Sequence, residues 1–195
     1  MSTGLDTGAA TRRIRPATKH DAAAVQAIYA PSITDSVVSF EETVPSVAEL
    51  AERIESIMPM FPYLVWEEND RVLGYAYGSA HRTRASYRWS VDLSAYVDQS
   101  ARRRGIGRAL YTELIEILTR QRFHMAYAGI TLPNPASIAL HEAVGFVYFA
   151  SYTEVGYKFG RWHDVGWWQR PLAANSAPLE PIPYADILAA SNSRA

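Results

Sequence analysis

Two glycines and four arginines lie together in residues 102–108, a segment that could hold phosphate groups. In order, these residues are Arg102, Arg103, Arg104, Gly105, Ile106, Gly107 and Arg108. Glycines let a backbone approach a ligand closely and adopt positive φ, while the first turn of a helix directs free N–H groups at an anion. Arginine side chains add positive charge that suits phosphate oxygens. The segment therefore predicts an anion-binding turn, although a glycine turn beside a solvated basic patch would use the same residues.

The glycine spacing excludes two common nucleotide-binding loops. Residues 102–108 lack the lysine and serine or threonine that close a P-loop, and they lack the third glycine of a Rossmann fingerprint. If the segment binds phosphate, it is therefore expected to do so as a different type of loop from these two.

Two side chains are candidates for a general base. Asp92 lies in the mostly apolar run 89–97, where a carboxylate is costly to bury unless it is paired or functional. The alternative is a carboxylate on a solvated strand face. His141 has an imidazole, which titrates near neutral pH, but a structural histidine fits its position on a predicted helix equally well.

Arg82 and Arg84 are candidates for binding an acidic substrate. Both follow the predicted strand 72–80 directly. The planar guanidinium fork matches carboxylate or phosphinate oxygens, so the pair predicts a substrate that carries such a group. A pair of surface arginines in a loop is the alternative.

The elements that would position these residues follow from the hydrophobic pattern. Strands are predicted at 14–17, 63–67, 72–80, 89–97, 125–130, 146–155 and 162–170, and helices at about 18–29, 47–58, 106–120 and 135–144. Helices alternate with strands, but two adjacent strands form a hairpin, which favours a mixed sheet with helices on both faces. We expect a single α/β domain over 12–172, with a disordered leader at 1–11 and an extended tail at 173–195.

Composition narrows the possible functions. The chain has 195 residues and a net charge of -1, which gives no reason to expect a nucleic-acid or membrane partner. Cysteine is absent, so disulfides, thiolate metal sites and cysteine nucleophiles are excluded. No secretion signal or membrane span is recognisable, and a cytoplasmic location is expected by default.

Several segments, in the right order, resemble a known superfamily. The pattern Arg102-x-x-Gly105-x-Gly107 resembles the pyrophosphate loop of the GNAT superfamily of N-acetyltransferases, and the similarity continues through 132–137 and 140–146. More narrowly, the chain resembles the phosphinothricin and methionine sulfoximine N-acetyltransferases. The segments that carry this closer resemblance are 14–17, 39–40, 87–92 and 156–164. Together the matches span about residues 12–172.

The resemblance implies a twisted mixed sheet whose central strands splay, with acetyl-CoA as co-substrate and no metal. It places Ala95, Tyr96 and Val97 on the splayed strand that binds the thioester, and Asn134 and Ser137 near the pantetheine. It also places Phe40 in the pocket of the acceptor substrate, which would be a small amino acid, and implies a homodimer. Lys158 and Arg161 match a motif near the dimer-facing edge of that site, although structural roles would suit both residues equally well. Similar enzymes commonly carry glutamate where this chain has Asp92. The shorter side chain favours proton transfer through a water molecule, with His141 as a second participant.

These observations predict direct acetyl transfer from acetyl-CoA to the α-amino group of a glutamate-like amino acid such as phosphinothricin or methionine sulfoximine. Without cysteine, no cysteinyl acyl-enzyme can form. One alternative is acetylation of another amine, such as a protein N-terminus or a polyamine, although arginines disfavour a cationic polyamine. Another alternative is a non-catalytic sensor that binds acyl-CoA.

Overall fold

The computed structural model describes residues 11–173 and 177–192. Its strands are β1 (Arg12–Pro16), β2 (Tyr63–Glu68), β3 (Arg71–Ala80), β4 (Ser90–Val97), β5 (Met125–Thr131), β6 (Val147–Lys158) and β7 (Arg161–Pro171). Its α-helices are α1 (Ala22–Thr34), α2 (Val47–Ile57), α3 (Ile106–Arg120), α4 (Pro135–Ala143) and α5 (Tyr184–Asn192). Residues 1–10 of the predicted leader lie outside the described residues. Within the described ranges, no helix combines the length and the apolar character needed to cross a bilayer.

The strands form one seven-stranded sheet in the order β1-β2-β3-β4-β5-β7-β6. All neighbouring pairs are antiparallel except β4 and β5, which run parallel. The predicted hairpin is confirmed, with Asn69 and Asp70 at positive φ in the turn between β2 and β3. The mixed sheet that the sequence predicted is therefore confirmed.

The central parallel pair separates soon after it forms. Only three residues of β4 pair with β5, and the last of these pairs joins Asp92 to Tyr127. Among the described strands, β3 is the one that pairs with β4 from Leu93 to Val97. The predicted splay is confirmed, and it leaves one side of the β4 backbone open over five residues.

Helices cover both faces of the sheet because the side chains along its strands alternate between two hydrophobic clusters, one on each face. On one face, α3 buries residues such as Leu110, Leu114 and Leu118 against Val91 and Leu93 of β4. On the other face, α1 and α2 pack against a second cluster of buried residues that includes Tyr63, Val65 and Tyr75. Since successive side chains of a strand point to opposite faces, Asp92 and Tyr96 belong to the α1 and α2 side.

Two predicted segments differ from the structure. Helix α1 continues through Pro31 to Thr34, beyond the predicted end near residue 29. The tail predicted as extended contains α5, whose Tyr184 is only 1% exposed. Its Tyr184, Ile187 and Leu188 all pack against the core that α3 forms, and their spacing matches one helix face. Burial of this short stripe outweighs the polar composition around it. The flanking residues 174–176 and 193–195 lie outside the described ranges.

Side-chain and backbone contacts attach the segment before α5 to the domain. The Gln121 side chain donates hydrogen bonds to the carbonyl oxygens of Met60 and Ile182 at 2.8 and 2.7 Å. Arg88 forms a bidentate ion pair with Glu180, with distances of 2.8 and 2.7 Å. The segment therefore bridges the C-terminal end of α3 and the loop that precedes β4.

Candidate acetyl-transfer site

The two glycines of the phosphate-loop candidate have different physical roles. Gly105 has φ +81, and no atom lies within 4 Å of the position that a Cβ would occupy. Glycine is therefore needed at position 105 for the backbone conformation and not for lack of space, because other residues rarely adopt this φ. At Gly107 a Cβ would lie 3.1 Å from Leu140, so glycine there allows α3 to pack closely against α4.

The backbone of this loop presents free donors at the start of α3. The Ala109 N–H donates to the Gly105 carbonyl at 3.0 Å. Among the described residues, no acceptor is found for the N–H groups of 104–108. These groups converge at the positive end of the α3 dipole, which is the geometry of an anion site.

The loop arginines are not equally available. Arg102, Arg103 and Arg108 are exposed and form no ion pair in the part of the chain that the structure describes. Arg104 instead forms an ion pair with Glu68 at 2.6 Å. We therefore expect Arg104 to hold the loop against the turn after β2, while the other three arginines face a ligand.

The open edge of β4 supplies a second set of donors. The N–H of Asp98 donates to the Leu73 carbonyl at 2.9 Å, so that N–H points towards β3. Since N–H directions alternate along a strand, the Tyr96 N–H also points towards β3, whereas those of Ala95 and Val97 point into the gap beside β5. Ala95 and Val97 therefore carry the backbone donors that a ligand in the gap could use.

Asp92 is paired with a histidine that sequence analysis did not select. Nδ1 of His81 lies 2.6 Å from Oδ1 of Asp92. The two side chains are 13% and 28% exposed. Burial raises the pKa of Asp92, and the hydrogen bond from His81 opposes that shift. The pair lies where β4 and β5 begin to separate, because Asp92 belongs to their last paired position.

Aromatic rings surround the His81 imidazole. It stacks on Tyr127 with ring centroids 4.4 Å apart, and Trp167 and Tyr87 contact it edge-on. The guanidinium of Arg82 lies 5.9 Å from the centre of the Trp167 ring. Asp92 and Arg82, which were predicted separately, are therefore brought into one cluster with His81.

Arg84 lies further along the same loop and is exposed. Its carbonyl accepts a hydrogen bond from the Tyr87 N–H at 2.9 Å, which begins a short 3-10 turn. Within the described ranges its side chain has no acidic partner, so it is free to bind an anionic substrate group.

Lys158 does not occupy the position expected for a substrate contact. Its ammonium donates to the carbonyl oxygens of Ile33, Ser39 and Glu41 at 2.8, 2.7 and 2.8 Å. A lysine has three donors, and all three are used within the fold. Burial lowers the pKa of Lys158, while the neighbouring glutamates oppose this. This corrects the prediction: Lys158 fastens the segment after α1 to β6 and has no donor left for a substrate.

Phe40 lies in the segment that Lys158 fastens. Its ring lies over Gly156 of β6, where a Cβ would be only 2.2 Å from the ring. The same ring is 38% exposed and lies 6.3 Å from His163. Gly156 thus creates the space for Phe40, whose exposed edge remains available to a ligand.

His141 is held between two helices. Its Nδ1 lies 2.7 Å from the Ser137 carbonyl and its Nε2 lies 3.0 Å from the Tyr111 hydroxyl. Because a carbonyl can only accept, Nδ1 carries the hydrogen and Nε2 accepts from Tyr111. Burial lowers the pKa of His141. Both ring nitrogens are satisfied internally, which favours a structural role over direct proton transfer.

The remaining candidates have local roles that are compatible with ligand binding. The Asn134 side chain accepts a hydrogen bond from the Ser137 N–H at 3.1 Å and so caps α4. Its amide N–H groups stay free for another acceptor, since only the carbonyl oxygen is used. Arg161 is exposed at the start of β7. In the described ranges, no group of three or more histidine, aspartate or glutamate side chains could hold a metal ion.

His81 could not be selected from its sequence position alone. It follows β3 by one residue, and Ser79 pairs with Asp92 across the hairpin. The side chains of 79 and 81 therefore lie on the same face of the sheet as Asp92. Ser79 is directly opposite Asp92, and His81 is its diagonal neighbour. The register of β3 and β4 was the missing information, because a one-residue shift would direct His81 to the opposite face.

Comparisons with known proteins agree with this architecture. The profile of the Acetyltransferase (GNAT) domain family matches residues 14–167. A phosphinothricin N-acetyltransferase of Streptomyces viridochromogenes is 39% identical, over 87% of this chain and 93% of that protein. An L-methionine sulfoximine/L-methionine sulfone acetyltransferase of Salmonella typhimurium is 37% identical, over 85% and 97%. The crystal structure of a GNAT superfamily phosphinothricin acetyltransferase from Sinorhizobium meliloti in complex with AcCoA superposes with a TM-score of 0.82 at 40% identity, covering 88% of this chain and 94% of that one.

Replacing Gly105 with valine should weaken pyrophosphate binding, because a β-branched residue cannot readily hold the φ that the loop requires. Coenzyme A carries a pyrophosphate and is a suitable probe. We expect its Kd, measured by calorimetry, to rise at least tenfold, or about 1.4 kcal/mol. Gly160→Val is the matched control, since Gly160 has φ +77 and equally open surroundings but lies in the turn before β7. Equal affinity in the Gly105 variant and the parent would remove the phosphate-loop assignment.

Proposed function

Because the chain belongs to the GNAT acetyltransferase family, we propose that it transfers the acetyl group of acetyl-CoA to the α-amino group of phosphinothricin or a similar glutamate-like amino acid, such as methionine sulfoximine. One observation carries the proposal: the half-buried Asp92 lies at the point where β4 leaves β5, beside Arg82. A carboxylate that could take part in proton removal, open backbone donors and a cationic side chain therefore lie in one region of the sheet. The names of the two relatives support this class of acceptor.

On the co-substrate side, residues 102–108 would hold the pyrophosphate through their free N–H groups and exposed arginines. Backbone N–H groups of Ala95 and Val97 would donate to the thioester oxygen, which becomes negative in the tetrahedral intermediate. Asn134 and Ser137, at the start of α4, would contact the pantetheine. The neighbouring structure that contains AcCoA supports the same choice of co-substrate.

On the acceptor side, Arg82 and Arg84 would bind the acidic groups of the amino acid. Phe40 would pack against its side chain from the opposite wall, and Arg161 would approach from the start of β7. Asp92 would take part in removing a proton from the ammonium, since only a neutral amine can attack the thioester. Attack within a ternary complex then gives the amide directly.

An acceptor panel tests the proposal. With acetyl-CoA present, thiol release should be fast with phosphinothricin, methionine sulfoximine or methionine sulfone. It should be slow with spermidine and with a peptide that offers only its N-terminus, because neither has a free α-carboxylate beside the amine for Arg82 and Arg84 to bind. Faster turnover of the peptide or spermidine would overturn the acceptor assignment. Binding of acetyl-CoA without turnover of any amine would indicate a sensor instead.

Alanine at Arg82 or Arg84 should raise the KM for the amino acid by an order of magnitude or more, since a charged hydrogen bond contributes about 1.5–3 kcal/mol. The KM for acetyl-CoA should stay the same. Arg120→Ala, at the exposed end of α3, is the control for loss of a positive charge. Equal increases in both KM values would contradict a role in acceptor recognition.

The proposal includes a homodimer formed through β6. This strand is one edge of the sheet, so one row of its backbone donors and acceptors has no neighbouring strand among the described residues. Six of its large apolar side chains are between 45% and 57% exposed, namely Val147, Tyr148, Phe149, Tyr152, Val155 and Tyr157. An exposed apolar edge of this extent marks an interface, and a second copy can offer it the same strand across a two-fold axis.

Light scattering should therefore give twice the chain mass of 21.7 kDa. The double variant Val147→Glu and Val155→Glu should shift the mass towards that of one chain, because charges cannot be buried unpaired. Val47→Glu, at an exposed valine on α2, is the matched control and should leave the mass unchanged. A parent protein with the mass of one chain would contradict the dimer.

A further inference from the structure

We propose that His81 is a further catalytic residue, whose Nε2 accepts the proton of the acceptor ammonium while Asp92 orients the ring. The inference rests on the proposed acetyl transfer and identifies the group that contacts the reacting amine. It assigns Asp92 the role of a positioning residue, in place of direct or water-mediated proton abstraction.

The first argument is the direction of the hydrogen bond between the pair. An ionised carboxylate can only accept, so the contact of 2.6 Å requires the hydrogen to be on Nδ1 of His81. The lone pair of the neutral ring is then on Nε2. Within the described residues, Nε2 makes no hydrogen bond. A carboxylate that fixes the tautomer and a free second nitrogen are the two requirements of a histidine base.

The second argument is that the ring is held in one orientation. Stacking on Tyr127 fixes its plane, with an angle of 22° between the two rings. Trp167 from β7 and Tyr87 from the loop before β4 restrict its edges. A base that is already oriented loses little freedom when the substrate binds, which is a condition for efficient proton transfer.

The third argument is position. Tyr127 and Asp92 form the last pair of β4 and β5, so the ring lies at the start of the gap in which the thioester would bind. Aspartate is shorter than the glutamate of similar enzymes, and the imidazole extends its reach by the width of the ring. His81 thus compensates for the shorter aspartate that this chain has in place of the glutamate of similar enzymes.

The charged and titratable groups around the ring come from three elements. Asp92 is contributed by β4, Tyr127 by β5, and Tyr87 and Arg82 by the loop that carries His81 itself, while Trp167 of β7 adds no charge. Arg82 also donates to the His81 carbonyl at 2.7 Å. If Arg82 binds the acidic end of the acceptor, the amine is delivered close to Nε2.

The reaction balances without another reactant. The ammonium gives one proton to Nε2 of His81, which later passes it to solvent. The neutral nitrogen attacks the carbonyl carbon, forming the C–N bond. The C–S bond then breaks, and its electron pair stays on the sulfur of coenzyme A. The nitrogen loses its second proton as the intermediate collapses, and the thiolate takes up a proton. The products are the N-acetyl amino acid, coenzyme A and one released proton.

The test compares His81→Gln with the parent across a pH series, with the acceptor that the parent turns over. Glutamine can still donate to Asp92 but cannot accept the proton, so kcat should fall by about 10²–10⁴-fold. The loss should shrink as pH rises, because more of the amine is already neutral in solution. The Kd for coenzyme A should not change. His20→Gln, at an exposed histidine before α1, is the control and should keep full activity.

Two further variants separate a base from a structural partner of Asp92. Added imidazole should restore part of the activity of His81→Ala, which a loss of packing would not allow. The double variant His81→Gln and Asp92→Asn should be no slower than His81→Gln alone, since the two residues act as a unit. A His81→Gln variant within about threefold of the parent at every pH, far below what a general base supplies, would overturn the inference. A parent that turns over no amine would instead overturn the proposed function.

Discussion

The separation of β4 from β5 after Asp92 is the constraint on which the site depends. Backbone N–H and C=O groups inside a fold need partners, so an unpaired stretch in the centre of a sheet is costly unless a ligand or water completes it. Here the stretch leads directly into the turn before α3, whose N–H groups are also free. Under the proposed function, one continuous segment, from Ala95 to Arg108, would thus offer donors for a thioester at one end and for phosphates at the other.

The groups of β4 point in three directions. Val91 and Leu93 are buried under α3, which fixes the position of that helix. Asp92 and Tyr96 face the opposite side of the sheet, and the backbone between them faces the gap beside β5. A change in the register of β4 would exchange these faces and would move the half-buried carboxylate of Asp92 away from His81.

The hydrogen bonds that each polar side chain makes within the fold distinguish structural groups from candidate functional ones in this protein. Lys158 and His141 use all of their relevant donors and acceptors within the fold, so they stabilise it and offer nothing to a substrate. Within the described ranges, His81 uses one ring nitrogen and leaves the other free, and Arg102 and Arg108 form no ion pair. Free polar groups beside buried, oriented partners are therefore the reliable indication of the site.

The sequence alone determined the features that depend on local spacing. The helix 106–120 was predicted with both of its bounds, because its apolar spacing is regular and Gly105 begins it. The β2–β3 hairpin was local in the same sense, and the order of strands and helices along the chain favoured the mixed sheet. Only the tertiary structure decided the partners of Asp92, Lys158 and Tyr184. Each of these contacts joins residues distant along the chain, and their geometry depends on strand register and helix packing, which no local pattern specifies.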